Sequence, residues 1–187
     1  MKDMHAQVLS AARKLRDYSA QTLSSIVKIP SFSGKEENVC RAIESLCREA
    51  GFDEVRIDGL GNVIGRVGKG PRKLAIDAHI DTVGVGDASQ WKTDPFSGTI
   101  SDGKVLGRGT SDQKGGAAAM IAAGRILHEL GYDGTFSLYF TFTVLEEDCD
   151  GLCWLYRSRK RASSRSSPFP RSPPPAACIA ATGAAWK

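Results

Sequence analysis

The chain has 187 residues, 25 Lys+Arg against 21 Asp+Glu, and a formal charge of +4. That length suits one domain with a buried core. No apolar run approaches the ~20 residues that span a bilayer, and no apolar h-region opens the chain, so neither a membrane protein nor a secreted precursor is expected.

The elements read in chain order as follows. Val8, Ala11, Leu15, Tyr18, Thr22, Ile26 and Ile29 recur at three- and four-residue steps, the stripe of one long amphipathic helix that Pro30 stops. Ser33 and Glu36 have the spacing of a capping box, and Val39, Ile43, Leu46 and Ala50 carry a second helix to Gly51. From Glu54 the period changes: Val55 and Ile57, then Val63, Ile64 and Val67, are short β-type runs around Asp58-Gly59 and Gly61-Asn62. Leu74 to Ile80 is a mostly apolar run of the kind that fills a buried central strand. Thr99 to Leu106 reads as a hairpin around Asp102-Gly103. Ala117, Met120, Ile121, Gly124, Leu127 and Leu130 form a third helical stripe ended by Gly131. Thr135 to Leu145 is β-branched and aromatic, another covered strand. The order predicts an α/β sandwich with a mixed sheet.

Five cysteines (40, 47, 149, 153 and 178), odd in number and irregularly spaced, argue against a disulfide framework. Reduced thiols in a cytoplasmic protein are expected. Cys40 and Cys47 lie about 10 Å apart along one helix, too far to bridge.

The charge divides sharply at Tyr156. Residues 1–156 hold 18 basic and 21 acidic side chains, whereas 157–187 hold seven basic and none acidic. The same tail carries five of the eight prolines and six serines, a composition that cannot pack a core and predicts disorder.

Polar residues gather where strands end, which is where open α/β sheets place their sites. His79 and Asp81 close one strand as His-x-Asp, Asp112 follows the loop Gly107-Arg108-Gly109-Thr110, and Glu146 and Glu147 close another strand. Imidazole plus carboxylates is a ligand set for zinc or a similar divalent ion. Asp81 can fix the tautomer of His79 through its second ring nitrogen. Adjacent glutamates suit a divided role, one on metal and one taking a proton from water.

Three ordered motifs carry a family resemblance: AIDAHIDTV from Ala75, GRGTSDQKGG from Gly107, and VLEED from Val144. Asp112 lies 33 residues after His79, and Glu146 lies 34 residues after Asp112. Together they resemble the co-catalytic zinc hydrolases that include acetylornithine deacetylase, succinyl-diaminopimelate desuccinylase, aminoacylase and glutamate carboxypeptidase. EEDCDGLCW is similar to a subgroup of peptidase-type and selenium-metabolism hydrolases. The resemblance covers residues 6 to about 156. It implies a three-layer zinc-exopeptidase-like catalytic domain and two zinc ions, with cobalt or manganese as substitutes. His79 and Glu147 would each bind one ion and Asp112 would bridge them. Glu146 would be the general base, Asp81 would orient His79, and the Asp112–Gln113 peptide would be cis. The implied reaction is amide hydrolysis in a small peptide or N-acyl amino acid.

The chain departs from the family after Cys153-Trp154. A further carboxylate ligand, a late histidine and a smaller dimerisation domain belong to the pattern and are missing here, so an incomplete catalytic domain over 1–156 is expected, with weak zinc retention and little activity. Reading the tail codons one base earlier permits a family-like string from Lys160 onward, including a Ser-Thr-Glu-Pro-Thr segment. Residues 157–187 are therefore expected to be out of frame. The competing readings are a noncatalytic truncated product or binding module, and a real basic tail able to contact nucleic acid.

His5 and His128 read as surface or cap residues, and Cys149/Cys153 as either local packing or a C-x3-C pair that touches metal or is redox-active. The run Gly65 to Gly70 is not a phosphate loop, because Pro71 stands where Ser or Thr would bind magnesium. Gly115-Gly116 is expected to allow close packing beside Asp112. Trp91, Asp94, Pro95 and Phe96 resemble the family's substrate-side loop, or else an aromatic-anchored turn.

Overall fold

A computed structural model of the chain describes residues 2–149 and 178–180. Helices α1 (Lys2–Lys14), α2 (Arg16–Val27) and α3 (Glu37–Glu49) precede strands β1 (Glu54–Ile57), β2 (Val63–Val67) and β3 (Arg72–His79). The hairpin β4 (Thr99–Ser101) and β5 (Lys104–Leu106) follows, then α4 (Gly115–Glu129), β6 (Phe136–Thr143), a short helix α5 (Glu146–Cys149) and β7 (Cys178–Ala180).

The single long N-terminal helix is broken in two at Leu15. Ser19 Oγ donates to the Leu15 carbonyl four residues back at 2.9 Å, a back-bond that bends helices. The capping box does not form either: α3 starts with no side-chain cap, because Ser33 and Glu36 are spent elsewhere. At the hairpin, Asp102 and Gly103 both have positive φ, as a two-residue turn that follows strand twist requires.

The main sheet has the order β1-β2-β6-β3-β7 and is mixed. β1, β2 and β6 pair antiparallel; β3 pairs parallel with both β6 and β7. Alternation sorts the side chains by face. Val55, Val63, Val67, Ala78, Phe140 and Phe142 turn to one side and share a core with Ile26, Val39, Ile43, Cys47, Ala117 and Ile121 from α2, α3 and α4. Phe52 is the wedge of this core. A Cβ on Gly65 of β2 would meet its ring at 2.5 Å, and one on Gly124 of α4 at 2.1 Å. The ring sits edge-on to Phe140 at 5.1 Å. The other face carries Arg66, Tyr139, Asp77, Thr141 and Thr143. Among the described residues α3 and α4 cover only the first face, so the third layer of the expected sandwich is not among them.

Within the tail, Cys178–Ala180 form strand β7 and pair with Ala75–Asp77. A parallel edge supplies backbone partners to the middle of β3, and that term is invisible to composition. Residues 150–156, with Cys153, and the rest of the tail, 157–177 and 181–187, with its expected frame shift, lie outside the described residues. No helix among those described is long and apolar enough to cross a membrane.

Candidate active site

Parallel pairing puts the ends of β3 and β6 side by side. His79 is the partner of Thr143, and Ile80 N donates to Thr143 O at 2.9 Å. The residues just past each strand therefore meet. A cleft of about 710 Å³ lined by Lys69, Tyr132 and Asp133 lies near the start of β3, at the other end of the sheet.

The turn from β6 into α5 is built almost entirely from captured backbone N–H groups. Val144 N donates to Asn62 Oδ1 (3.0 Å), Leu145 N to Glu36 Oε1 (3.1 Å), Glu146 N to Asp81 Oδ1 (3.1 Å) and Glu147 N to Asp81 Oδ2 (3.0 Å). Leu145 has φ 60°, a left-handed conformation that costs a leucine about 1–2 kcal/mol. Four side-chain acceptors from three other segments hold it there. Asn62 is fully buried and is itself fixed by Asp58.

Asp81, also fully buried, is the hub of this arrangement. Ser33 Oγ donates to its Oδ2 at 2.7 Å, and its Oδ1 lies 3.5 Å from His79 Nδ1. Residues 31–33 reach it by running beside 80–82: Thr82 N donates to Ser31 O, and Ser31 Oγ donates to Ile80 O at 2.7 Å. The remaining contact of His79 Nδ1 is the Asp81 carbonyl at 3.2 Å. With both acceptors on Nδ1, its proton stays there and Nε2 is the nitrogen left for coordination. That nitrogen faces Asp112 Oδ1 at 2.9 Å and Glu146 Oε2 at 3.7 Å.

Asp112 comes from a segment that interrupts helical geometry. Asp112 is extended (φ −125°, ψ 102°) and Gln113 non-helical (φ −133°, ψ 37°) between Gly109, at φ 79°, and the first turn of α4, and their peptide bond is cis. Gly115 packs on the Thr110 carbonyl, which a Cβ would meet at 2.5 Å. The segment is pinned by Lys114, 0% exposed, whose ammonium donates to Ile26 O (3.0 Å) and Ile29 O (2.8 Å). This places a cation at the C-terminal end of α2, on the Ile26 carbonyl of its last turn and the Ile29 carbonyl just beyond it, where the helix dipole favours it. Burial lowers its pKa to about 8.

Charge at the site is one-sided. Burial opposes a proton on His79, but Asp81, Asp112 and Glu146 outweigh it and raise the imidazole to about 9. Burial would also raise Asp81, yet the hydrogen bonds from His79, Ser33 and the two N–H groups lower it. Burial and the neighbouring carboxylates Asp112, Asp81 and Glu146 raise Glu147, against the pull of His79. Ligand atoms of His79, Glu146 and Glu147 lie within 4.8 Å of one another. The five candidate residues, His79, Asp81, Asp112, Glu146 and Glu147, thus come from three separate segments to one place. Ser33, Glu36, Asn62 and Lys114 complete it: Ser33 and Glu36 have the spacing of a helix cap instead, Lys114 lies inside the GRGTSDQKGG motif with no role expected of it, and Asn62 lies in a turn. Gly68 N donates to Asp53 at 2.7 Å, so an acidic partner occupies the loop that resembled a phosphate site.

The sequence model of Peptidase family M20/M25/M40 matches residues 75–178, which contain all five candidates. The chain belongs to that family. The match runs past Tyr156 into the basic tail, further than the motifs suggested. YgeY of Escherichia coli (strain K12) is 49% identical over 146 residues, covering 76% of this chain and 36% of YgeY. A succinyl-diaminopimelate desuccinylase of Cereibacter sphaeroides (strain ATCC 17025 / ATH 2.4.3) is 37% identical over 131 residues, 67% of this chain and 34% of that one. Human carnosine dipeptidase 1 shares the fold at TM-score 0.72 with 22% identity, over 85% of this chain and 38% of its own. The chain spans about a third of the length of the curated relatives it matches.

Proposed function

We propose that this chain carries the His79–Asp112–Glu147 face of a zinc site in a hydrolase that cleaves an amide bond in small peptides or N-acyl amino acids. The observation that carries the reading is the convergence of imidazole and carboxylates at the ends of β3 and β6. His79, Glu146 and Glu147 atoms lie within 4.8 Å, and Asp112 is 2.9 Å from His79 Nε2. The donor set fits a divalent ion of the zinc type. Several carboxylates crowd one imidazole, and their repulsion of Glu147 is relieved by a cation. A bound ion supplies Lewis-acid polarisation of the scissile carbonyl and acidifies a water.

The chain's own residues do the rest. Asp81 holds Nδ1 of His79 and leaves Nε2 as the nitrogen that would hold an ion. Glu146, at the mouth of the site with its side chain 43% exposed, accepts the proton of the attacking water and returns it to the leaving amine. His79, Asp112 and Glu147 would be the ligands from the described residues, and the assay supplies zinc in excess. The test is hydrolysis of N-acetyl and N-succinyl amino acids and dipeptides by the 187-residue protein with and without added zinc. Metal-dependent turnover that falls about 10²–10⁴-fold in Glu146→Gln supports the reading. Turnover that ignores zinc, or none at all, overturns it for this chain.

A further inference from the structure

The stretch from the last turn of α2 to the start of α3 supplies none of the candidate ligands, yet it touches every segment that does. At its start, Ile26 O and Ile29 O hold the ammonium of Lys114, which follows Asp112 closely in the chain. In its middle, Phe32 bridges Thr82 in parallel and Ser33 Oγ donates to Asp81. At its end, Glu36 Oε1 accepts from Leu145 N at 3.1 Å, immediately before Glu146 and Glu147. Ile26, Val27, Ser31 and Glu36 are buried along the way.

The backbone on either side fixes Glu36. Lys35 N donates to Phe32 O at 2.8 Å, closing a turn in which Gly34 takes φ 80°, a conformation glycine adopts without steric penalty. The Glu36 carbonyl accepts from Cys40 N at 2.9 Å, at the first turn of α3. Its carboxylate thus stands at a helix N-terminus, where negative charge is favoured. It caps nothing there, since α3 has no side-chain cap hydrogen bond.

What it holds instead is one of the two peptide planes that meet at Leu145. The plane before Leu145 carries the N–H that Glu36 accepts. The plane after it carries the Glu146 N–H that Asp81 Oδ1 accepts at 3.1 Å. The angle between those planes is the backbone conformation of Leu145, at φ 60°. A leucine released on either side returns to negative φ, the sterically preferred region. Glu146 then leaves the backbone in another direction, and the atoms of His79, Glu146 and Glu147 that lie within 4.8 Å separate.

We propose that Glu36 is a positioning residue of the metal site: holding the Leu145 N–H from the start of α3, it keeps Glu146 and Glu147 turned toward His79 without being a ligand itself. The inference rests on the zinc reading and carries it to a residue outside the ligand set.

The test compares Glu36→Ala, Glu36→Gln and Glu36→Asp in the full chain, by zinc titration against a chromophoric chelator and by amide exchange of the zinc-free protein. Glutamine keeps an oxygen for Leu145 N. Aspartate keeps the charge and is a favoured helix cap, but is one methylene short of that N–H. Residues that orient metal ligands are worth about 10–100-fold in affinity, so the Ala and Asp variants are expected to lose that much and Glu36→Gln to stay within about threefold of the parent. In the zinc-free Ala and Asp variants the Leu145 N–H exchanges faster relative to the Ile121 N–H inside α4; in Glu36→Gln it does not. Parental zinc affinity in Glu36→Asp would overturn the proposal, because charge and cap without reach would then suffice. So would a Glu36→Gln variant that loses as much as Glu36→Ala. A parent that binds no zinc refutes the zinc reading, and exchange then decides Glu36: a Leu145 N–H indifferent to both Ala and Asp variants overturns its role, and faster exchange in both retains it. Should Glu36→Ala fail to fold, Glu36→Asp, which favours the start of α3, carries the comparison.

Discussion

Replacing Asp81 with Asn tests whether one buried carboxylate holds the site together. Asp81 Oδ2 accepts from Ser33 Oγ and Glu147 N, while Oδ1 accepts from Glu146 N and lies near His79 Nδ1. Asparagine supplies one acceptor where there were two. The less costly orientation keeps oxygen on Ser33 and Glu147 and turns its NH₂ toward Glu146 N–H and His79 Nδ1. One charge-assisted bond is then lost and one buried N–H is left facing a donor. The loss of that bond and the stranded N–H together cost about 2–4 kcal/mol. Against a typical stability of 5–15 kcal/mol this is large. Asp81→Ala removes all three accepted bonds and is expected to cost more than Asp81→Asn. Urea denaturation of the metal-free protein measures both. An Asp81→Asn variant within about 0.5 kcal/mol of the parent, or an Ala variant no worse than Asn, would refute the role of Asp81 as hub.

The other predictions concern the frame around the site. Lys114→Met strands the Ile29 carbonyl, leaves Ile26 O with its backbone donor alone, and should cost about 1–3 kcal/mol in urea denaturation; an unchanged midpoint would mean that the ammonium does not cap α2. Gly124→Ala raises helix propensity by up to about 1 kcal/mol but drives a methyl into Phe52, so a net loss of about 1–3 kcal/mol is expected. A double-mutant cycle with Phe52→Leu should recover most of it, and additive losses would exclude that contact. Burial pushes the Cys40 thiol up to about 12 and raises Cys47 as well, so mass-spectrometric mapping should find both unalkylated by iodoacetamide at pH 8 in the native protein. The unfolded chain loses these protons near pH 9 while the folded one keeps them. Stability should therefore fall from pH 9 to 12 by up to about 1.4 kcal/mol per pH unit per thiol, and Cys40→Val should flatten part of that slope.

Particular residues show how far the sequence could be read. The strand at Leu74–Ile80, the helix from Gly115 and the strand before Glu146 were legible because burial on one face imposes a period on the chain. His79, Asp81, Asp112, Glu146 and Glu147 were legible because strand ends collect polar residues and the three motifs have family spacing. The break at Leu15 was not, because a serine back-bond leaves the apolar stripe unchanged. Ser33 and Glu36 misled for a related reason. Their spacing satisfies a local cap, but both side chains found partners 48 and 109 residues away. Lys114 looks like an ordinary solvated lysine until α2 is packed against it.

Local pattern and composition were enough for the order of helices and strands from α3 to β6, the absence of a Cys40–Cys47 bridge on α3 and the residue types available for metal chemistry. Only the tertiary structure decided which groups meet. Parallel pairing of β3 with β6 brings His79 beside Glu146, Asp81 fastens the turn that presents both glutamates, and Glu36 reaches the same turn from the start of α3. The reason is physical: hydrogen bonds between distant segments depend on where packing puts the backbone, and no short window of sequence contains that information.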